Sequence, residues 1–114
     1  NMNFLQLQND DGKYVSPDDT TFASAAASAD WFSVPGMGVS MVNAKGAASW
    51  PISTASFILM YKQPADKAAA AEAIKFFDWA FTNGKKMAQD LDYVALPDSL
   101  TTQIRAKVWT QIQK

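Results

Sequence analysis

The sequence predicts a small α/β unit, and three observations carry that expectation. An N-terminal alternation closes on an Asp-Gly turn, an uncharged apolar run extends from Ile52 to Tyr61, and the later stretches space their apolar residues as helices do. Together they predict about four helices, an N-terminal hairpin and a buried central strand. No internal repeat or independent linker interrupts the 114 residues, so one compact unit is the economical reading.

In "NFLQLQNDDGKYV", Leu5 and Leu7 alternate with Gln6 and Gln8, and the pattern resumes at Tyr14 and Val15 after Asp11-Gly12. Asp-Gly supplies the positive φ of a tight turn, so this is a short hairpin. In "SPDDTTFASAAASAD", Ser16 is a candidate N-cap, Pro17 suits the first helical position, and Asp18 and Asp19 favour the positive helix end. The helix predicted here runs to about Ala29 and packs Phe22, Ala25, Ala26 and Ala29. From Asp30 to Ser49 the periodicity lapses into a long loop anchored by Trp31, Met37 and Met41, with room for one short strand.

"ASWPISTASFILMYK" follows, and a strand without charge from Ile52 to Tyr61 is one buried on both faces. Few other strand candidates exist to cover it. Pro64 then opens an alanine-rich helix closed by Asn83-Gly84, with Ala70, Ile74, Phe77 and Phe81 on one stripe. Phe76 and Trp79 fall outside that stripe, so the helix is apolar on more than one side. A further short helix through Met87 and Leu91 breaks before Pro97, and the last helix aligns Leu100, Ile104, Val108 and Ile112.

Composition narrows the chemistry. The chain is 48% apolar and 18% charged with a net charge of −1, so no global field recruits nucleic acid or an anionic membrane. Two Lys face five Asp up to Phe57, and eight basic residues face six acidic ones beyond it, a split that solvated surfaces explain. Neither cysteine nor histidine is present, which removes thiolate chemistry, disulfides and the commonest general base and metal ligand. No apolar run approaches the roughly 20 residues of a bilayer span, and no basic start with an apolar core marks a signal peptide. The chain opens on Asn1-Met2 in mid-pattern, as a fragment or processed product does.

Each candidate for chemistry has an ordinary counterpart. Asp90 and Asp92 are a carboxylate pair, but two helical residues that close point apart, which favours solvation, capping or a salt bridge with a nearby lysine. Asp78, among the aromatics of "FFDWAF", is either a buried acid or a surface carboxylate on the polar edge of its helix. Ser53, Thr54 and Ser56 offer hydroxyls to a ligand or to the local backbone. Gly36 and Gly38 in "VPGMGVS" have the look of a phosphate-cradling loop without its third glycine or its flanking strand and helix. Lys85 and Lys86 offer charge to an anion or to solvent, and Trp31, Trp50, Trp79 and Trp109 offer stacking surfaces or core anchors.

A resemblance organises these pieces. "GKYVSPDDTTFASAAASADW", "SWPISTASFILMYK" and "AIKFFDWAFTNGKKMAQDLDYVALPDSLTTQIRAKVWTQI" resemble the closing part of the periplasmic phosphate-binding protein of bacterial ABC transporters. "WPIS", "KFFDWA" and "DLDYVALP" occur in that family's order and near its spacing, while Trp31 to Ala48 diverges more. The resemblance implies a C-terminal fragment of a two-lobe, type II-like binding-protein fold. Residues 1–49 would be an edge hairpin, short helix and long loop leading back between the lobes, and residues 50–114 the C-terminal part of one α/β lobe.

It further implies periplasmic capture of inorganic phosphate and delivery to membrane permease subunits, with no catalysis and no cofactor. The family's phosphate contacts come from loops rich in Gly, Ser and Thr, an arginine and an aspartate, all earlier in the chain. Arg105, the only arginine, lies in the last predicted helix and does not match that position. No residue here is therefore assigned as catalytic, phosphate-binding or metal-binding.

Two other readings compete. A complete interaction domain would cover its strand by pairing with another copy. A small hydrolase would use Asp78 or Asp90 with a hydroxyl, against a chain that lacks the usual bases and nucleophiles.

Overall fold

A computed structural model describes residues 3–114, which form two compact units, the first ending at Ser56 and the second running Phe57–Lys114. The expectation of a single unit is corrected accordingly.

The first unit opens with the predicted hairpin, β1 (Leu7–Gln8) against β2 (Tyr14–Val15), antiparallel with Leu7 opposite Val15. Gly12 has φ +73° and its N–H donates to the Asn9 carbonyl at 2.9 Å, so the turn uses the conformation glycine permits. Val15 is buried, whereas Leu5 and Tyr14 point to solvent.

Helix α1 (Asp19–Ser28) begins later than the sequence suggests, because Asp18 rather than Ser16 is its N-cap. The Asp18 carboxylate accepts from the N–H groups of Thr20 and Thr21 at 2.9 and 3.0 Å, and the Thr21 hydroxyl accepts from the Asp18 N–H. This reciprocal box satisfies donors that a cap at Ser16 would leave unpaired. Pro17 accordingly lies outside the helix. Ala25 and Ala26 are buried as expected.

The long loop holds a single turn of 3₁₀ helix (Pro35–Met37) and, among the described residues, no strand. Trp31 and Met41 anchor it in the core. The Trp31 indole N–H donates to the Ala26 carbonyl at 2.7 Å, and Trp50 meets Phe22 edge-on at 6.0 Å.

The expected buried strand is the main correction. Residues 53–61 carry no ladder, and Ile58, Leu59 and Tyr61 are 59%, 91% and 83% exposed. A strand is held by bonds to a neighbouring strand, and among the described residues none lies alongside.

The second unit is helical. Helix α2 (Lys67–Asn83) is capped by Asp66, whose carboxylate accepts from the Ala69 N–H at 2.9 Å, rather than starting at Pro64. Its inner stripe is as predicted, with Ala70 and Ile74 buried and Phe77 and Phe81 half-buried. At Gly84 a Cβ would stand 2.6 Å from the Ala80 carbonyl oxygen, so only glycine permits the close join to α3 (Lys85–Asp90).

The last helix is not continuous: α4 (Asp98–Gln103) passes into a π-helical stretch (Ile104–Val108) and then a 3₁₀ turn (Trp109–Gln111). The physical reason lies in the spacing. Twelve residues of regular α-helix leave Ile112 about 120° out of line with Leu100. The wider π turn, in which the Trp109 N–H reaches the Ile104 carbonyl, takes up the excess, and both Leu100 and Ile112 are buried. The Gln113 N–H closes the unit on the Lys62 carbonyl at 2.9 Å.

Candidate functional site

The second unit brings together residues the sequence left scattered. Arg105 comes from the π-helical stretch and Asp78, Phe81 and Thr82 from the last turns of α2. The guanidinium Nε–H donates to Asp78 Oδ1 at 2.6 Å and a terminal N–H donates to the Thr82 hydroxyl at 3.1 Å. Beside it, the rings of Phe81 and Trp109 lie parallel at 5.5 Å, with the guanidinium carbon 5.9 and 6.0 Å from their centroids. The arginine thus ties the C-terminal turns to α2 through charge, hydrogen bonds and ring faces together.

Asp78 is a half-exposed ion-pair partner and not an acid sealed in an aromatic pocket. Asp90 pairs with Lys86 one turn away on α3, and Lys85 pairs with Asp98 at 2.5 Å. Asp92 follows the helix with φ +60°. Among the described residues no group of three or more acidic side chains is gathered to hold a metal ion. Both carboxylates proposed for acid–base work are engaged by cations.

Ser53 is buried and donates to the Trp50 carbonyl at 3.2 Å, the backbone role anticipated as its alternative, while Thr54 and Ser56 are exposed. Gly36 sits exposed at φ +73° inside the turn Pro35–Met37, and no α-helix begins directly after that turn to point N–H groups at a phosphate. Trp31 and Trp50 are core anchors, Trp109 stacks on Phe81, and Trp79 is 49% exposed.

A cleft of about 230 Å³ in the second unit is lined by Ala80, Phe81, Gly84, Ala88, Ala95, Leu96 and Thr101 and by Lys85, whose ammonium is paired with Asp98. Its lining is almost wholly apolar. It suits a hydrocarbon side chain better than a strongly hydrated dianion, which needs convergent N–H donors.

Sequence reasoning missed the polar pin of the first unit. Asn9, 6% exposed, spreads its side-chain N–H groups over the carbonyls of Gly46, Ala47 and Ser49 at 3.0 to 3.2 Å, while its Oδ1 accepts from the Lys13 N–H. Ser49, fully buried, donates to the Lys45 carbonyl at 2.8 Å and meets the Ser24 hydroxyl at 3.1 Å. Gly46 sits at φ +118°, a backbone conformation that strains any side chain, and a Cβ there would stand 3.0 Å from the Ser49 hydroxyl. An asparagine opening a turn is an ordinary signal, and its partners lie some forty residues away, so spacing alone does not expose it.

No family model matches the chain. Sequence similarity sets it beside the bacterial phosphate-binding proteins along nearly its whole length. The particular relatives are the phosphate-binding protein PstS of Pasteurella multocida, 45% identical over 111 residues, that of Xylella fastidiosa strain 9a5c, 44% over 105, and that of Haemophilus influenzae, 38% over 111. These matches cover 96%, 92% and 97% of this chain and 32%, 29% and 33% of the relatives. The chain therefore spans about a third of the length of the curated relatives it matches. Among the described residues no helix is long and apolar enough to cross a membrane.

Proposed function

We propose that this chain is the C-terminal part of a PstS-like solute-binding protein, which captures inorganic phosphate in the bacterial periplasm and delivers it to the permease subunits of an ABC transporter. The observation that carries this reading is 38 to 45% identity to phosphate-binding proteins across more than nine-tenths of the chain. The protein is a binding subunit and not an enzyme.

In this reading the parent folds as two α/β lobes. Residues 1–49 form an edge hairpin, helix and returning loop, and residues 50–114 belong to one lobe. The open stretch 53–61 fits an inner strand of that lobe, since its apolar residues alternate onto both faces and α2 follows after a short turn, as in half of a βαβ unit. Phosphate contacts come from the preceding part of the polypeptide. Three cations that would otherwise attract an anion, Arg105, Lys85 and Lys86, are committed to Asp78, Asp98 and Asp90.

Calorimetry tests this directly. The isolated chain is expected to show no saturable phosphate binding in the micromolar range. A hybrid in which it replaces the matching segment of the Pasteurella relative is expected to bind. Micromolar binding by the isolated chain overturns the placement of the site, and a folded hybrid that binds no phosphate overturns the family function.

A further inference from the structure

Asn83 and Gly84 form the elbow between α2 and α3, and they are the only Asn-Gly pair in the sequence. An asparagine before glycine is open to attack on its side-chain carbonyl by the next backbone nitrogen, since glycine has no Cβ to obstruct the approach. Glycine cannot be exchanged here, because a Cβ would meet the Ala80 carbonyl oxygen at 2.6 Å. Asn83 is exposed, so water reaches it. Both reacting groups are nevertheless held. The Gly84 N–H donates to the Ala80 carbonyl at 2.8 Å, and the Asn83 side-chain N–H donates to the Trp79 carbonyl at 3.1 Å. Attack therefore requires the last turn of α2 to unwind. That turn is also clamped from outside the helix, where Arg105 donates to Asp78 Oδ1 and to the Thr82 hydroxyl.

We infer that Asn83 is a spontaneous modification site, deamidating through a cyclic imide with Gly84 at a rate set by the opening of the last turn of α2, which Arg105 restrains. The Gly84 nitrogen gives up its proton and bonds to Asn83 Cγ, the Cγ–Nδ2 bond breaks, and ammonia leaves carrying that proton. Water then cleaves one of the two imide C–N bonds. Cleavage at Cγ leaves an aspartate at position 83, and cleavage at the backbone carbonyl leaves an isoaspartate whose chain runs through Cγ. Either product puts a negative charge at the C-terminus of α2, where the helix dipole disfavours it, and takes the side-chain donor from the Trp79 carbonyl. The isoaspartate also adds a carbon to the backbone at the elbow, where Gly84 already lies against Ala80. This chemistry is independent of what the parent polypeptide binds.

Peptide mapping by mass spectrometry, after incubation in mildly alkaline buffer, measures conversion at position 83 in the native chain and in the chain unfolded by guanidinium chloride. The expected rate is at least about tenfold lower in the native chain. Arg105→Ala is expected to raise the native rate about fivefold and to leave the denatured rate unchanged. Hydrogen exchange at the Gly84 amide should rise by the same factor while that at the Ile74 amide stays put, which separates opening of the turn from loss of the whole helix. If Arg105→Ala also speeds exchange at Ile74, Thr82→Val, which removes one acceptor of the guanidinium, is read in its place, with a smaller rise expected. No conversion at position 83 in the denatured chain overturns the site, and equal rates in the native and denatured chains overturn the gate. A native rate unmoved by the substitution overturns the restraint by Arg105, and faster exchange at Gly84 with no gain in conversion overturns the link between opening and reaction.

Discussion

The two units satisfy their buried groups in different ways. The unit ending at Ser56 is short of regular structure, and it is held by Trp31 and Trp50 in the core and by Asn9 and Ser49, which bond loop carbonyls from far along the chain. The unit from Phe57 onward is mostly helical, yet Leu59, Tyr61, Phe76, Trp79, Met87 and Leu91 stand about half exposed or more. A loop-rich segment survives only if its backbone carbonyls find donors, so buried side-chain amides and hydroxyls do that task. A helix satisfies its own backbone and can leave apolar side chains outside for another element to cover. The first unit is therefore sensitive to lost hydrogen bonds, and the second to what is set against it.

Mutations sharpen that contrast. Trp31→Ala empties a core position and leaves the Ala26 carbonyl unpaired, and it is expected to destabilise the first unit by about 3–5 kcal/mol, read from denaturant unfolding followed by near-UV circular dichroism. Asn9→Ala strips the loop carbonyls of their donors at an expected cost of about 1–3 kcal/mol, in the same measurement. An Asn9 variant that unfolds like the wild type would break the comparison.

In the second unit Arg105→Lys removes the planar fork from Asp78, Thr82 and the two rings. Because that pair is partly exposed, the loss is expected at about 1 kcal/mol, seen as a lower midpoint in urea. The N-terminus of α1 responds to acid. The Thr20 hydroxyl above all, and then the Thr21 N–H, hold the Asp18 carboxylate below its ordinary value of 3.8. Its contribution is thus complete above that value and is lost as the pH falls through the lower folded value. Asp18→Asn should flatten this acid limb, which a pH series of thermal melts records. Leu59→Asp has the smallest expected effect, within about 0.5 kcal/mol in the isolated chain, since the side chain is 91% exposed. The same change in the hybrid should abolish folding if residues 53–61 become an inner strand.

Local signals were the legible ones. The Asp-Gly turn of the hairpin and the Ala70–Ile74–Phe77–Phe81 stripe rest on neighbours within a turn or two, and the sequence displays them. The start of α1 was displaced by two residues because Ser16 and Asp18 are both good caps, and only the return bond from Thr21 selects Asp18. The apolar run at 52–61 declared its burial through composition, but burial depends on a neighbour, which no property of the run itself supplies. Asp90 meets Lys86, the lysine pairing that was one of its ordinary readings, whereas the pairing of Asp78, read as either a buried acid or a surface carboxylate, with Arg105 was not anticipated. The aromatic surroundings of the arginine were beyond reach, since they depend on one extra residue in a helical turn.

The bond from the Gln113 N–H to the Lys62 carbonyl has a practical consequence. It ties the tail of the polypeptide to the strap that precedes α2, so a fluorophore attached at Lys114 rides beside that strap. Such a label, far along the chain from residues 53–61 yet anchored next to their C-terminal side, would brighten or dim when the strap acquires a companion. It would register assembly in a titration without any change to the residues that do the assembling.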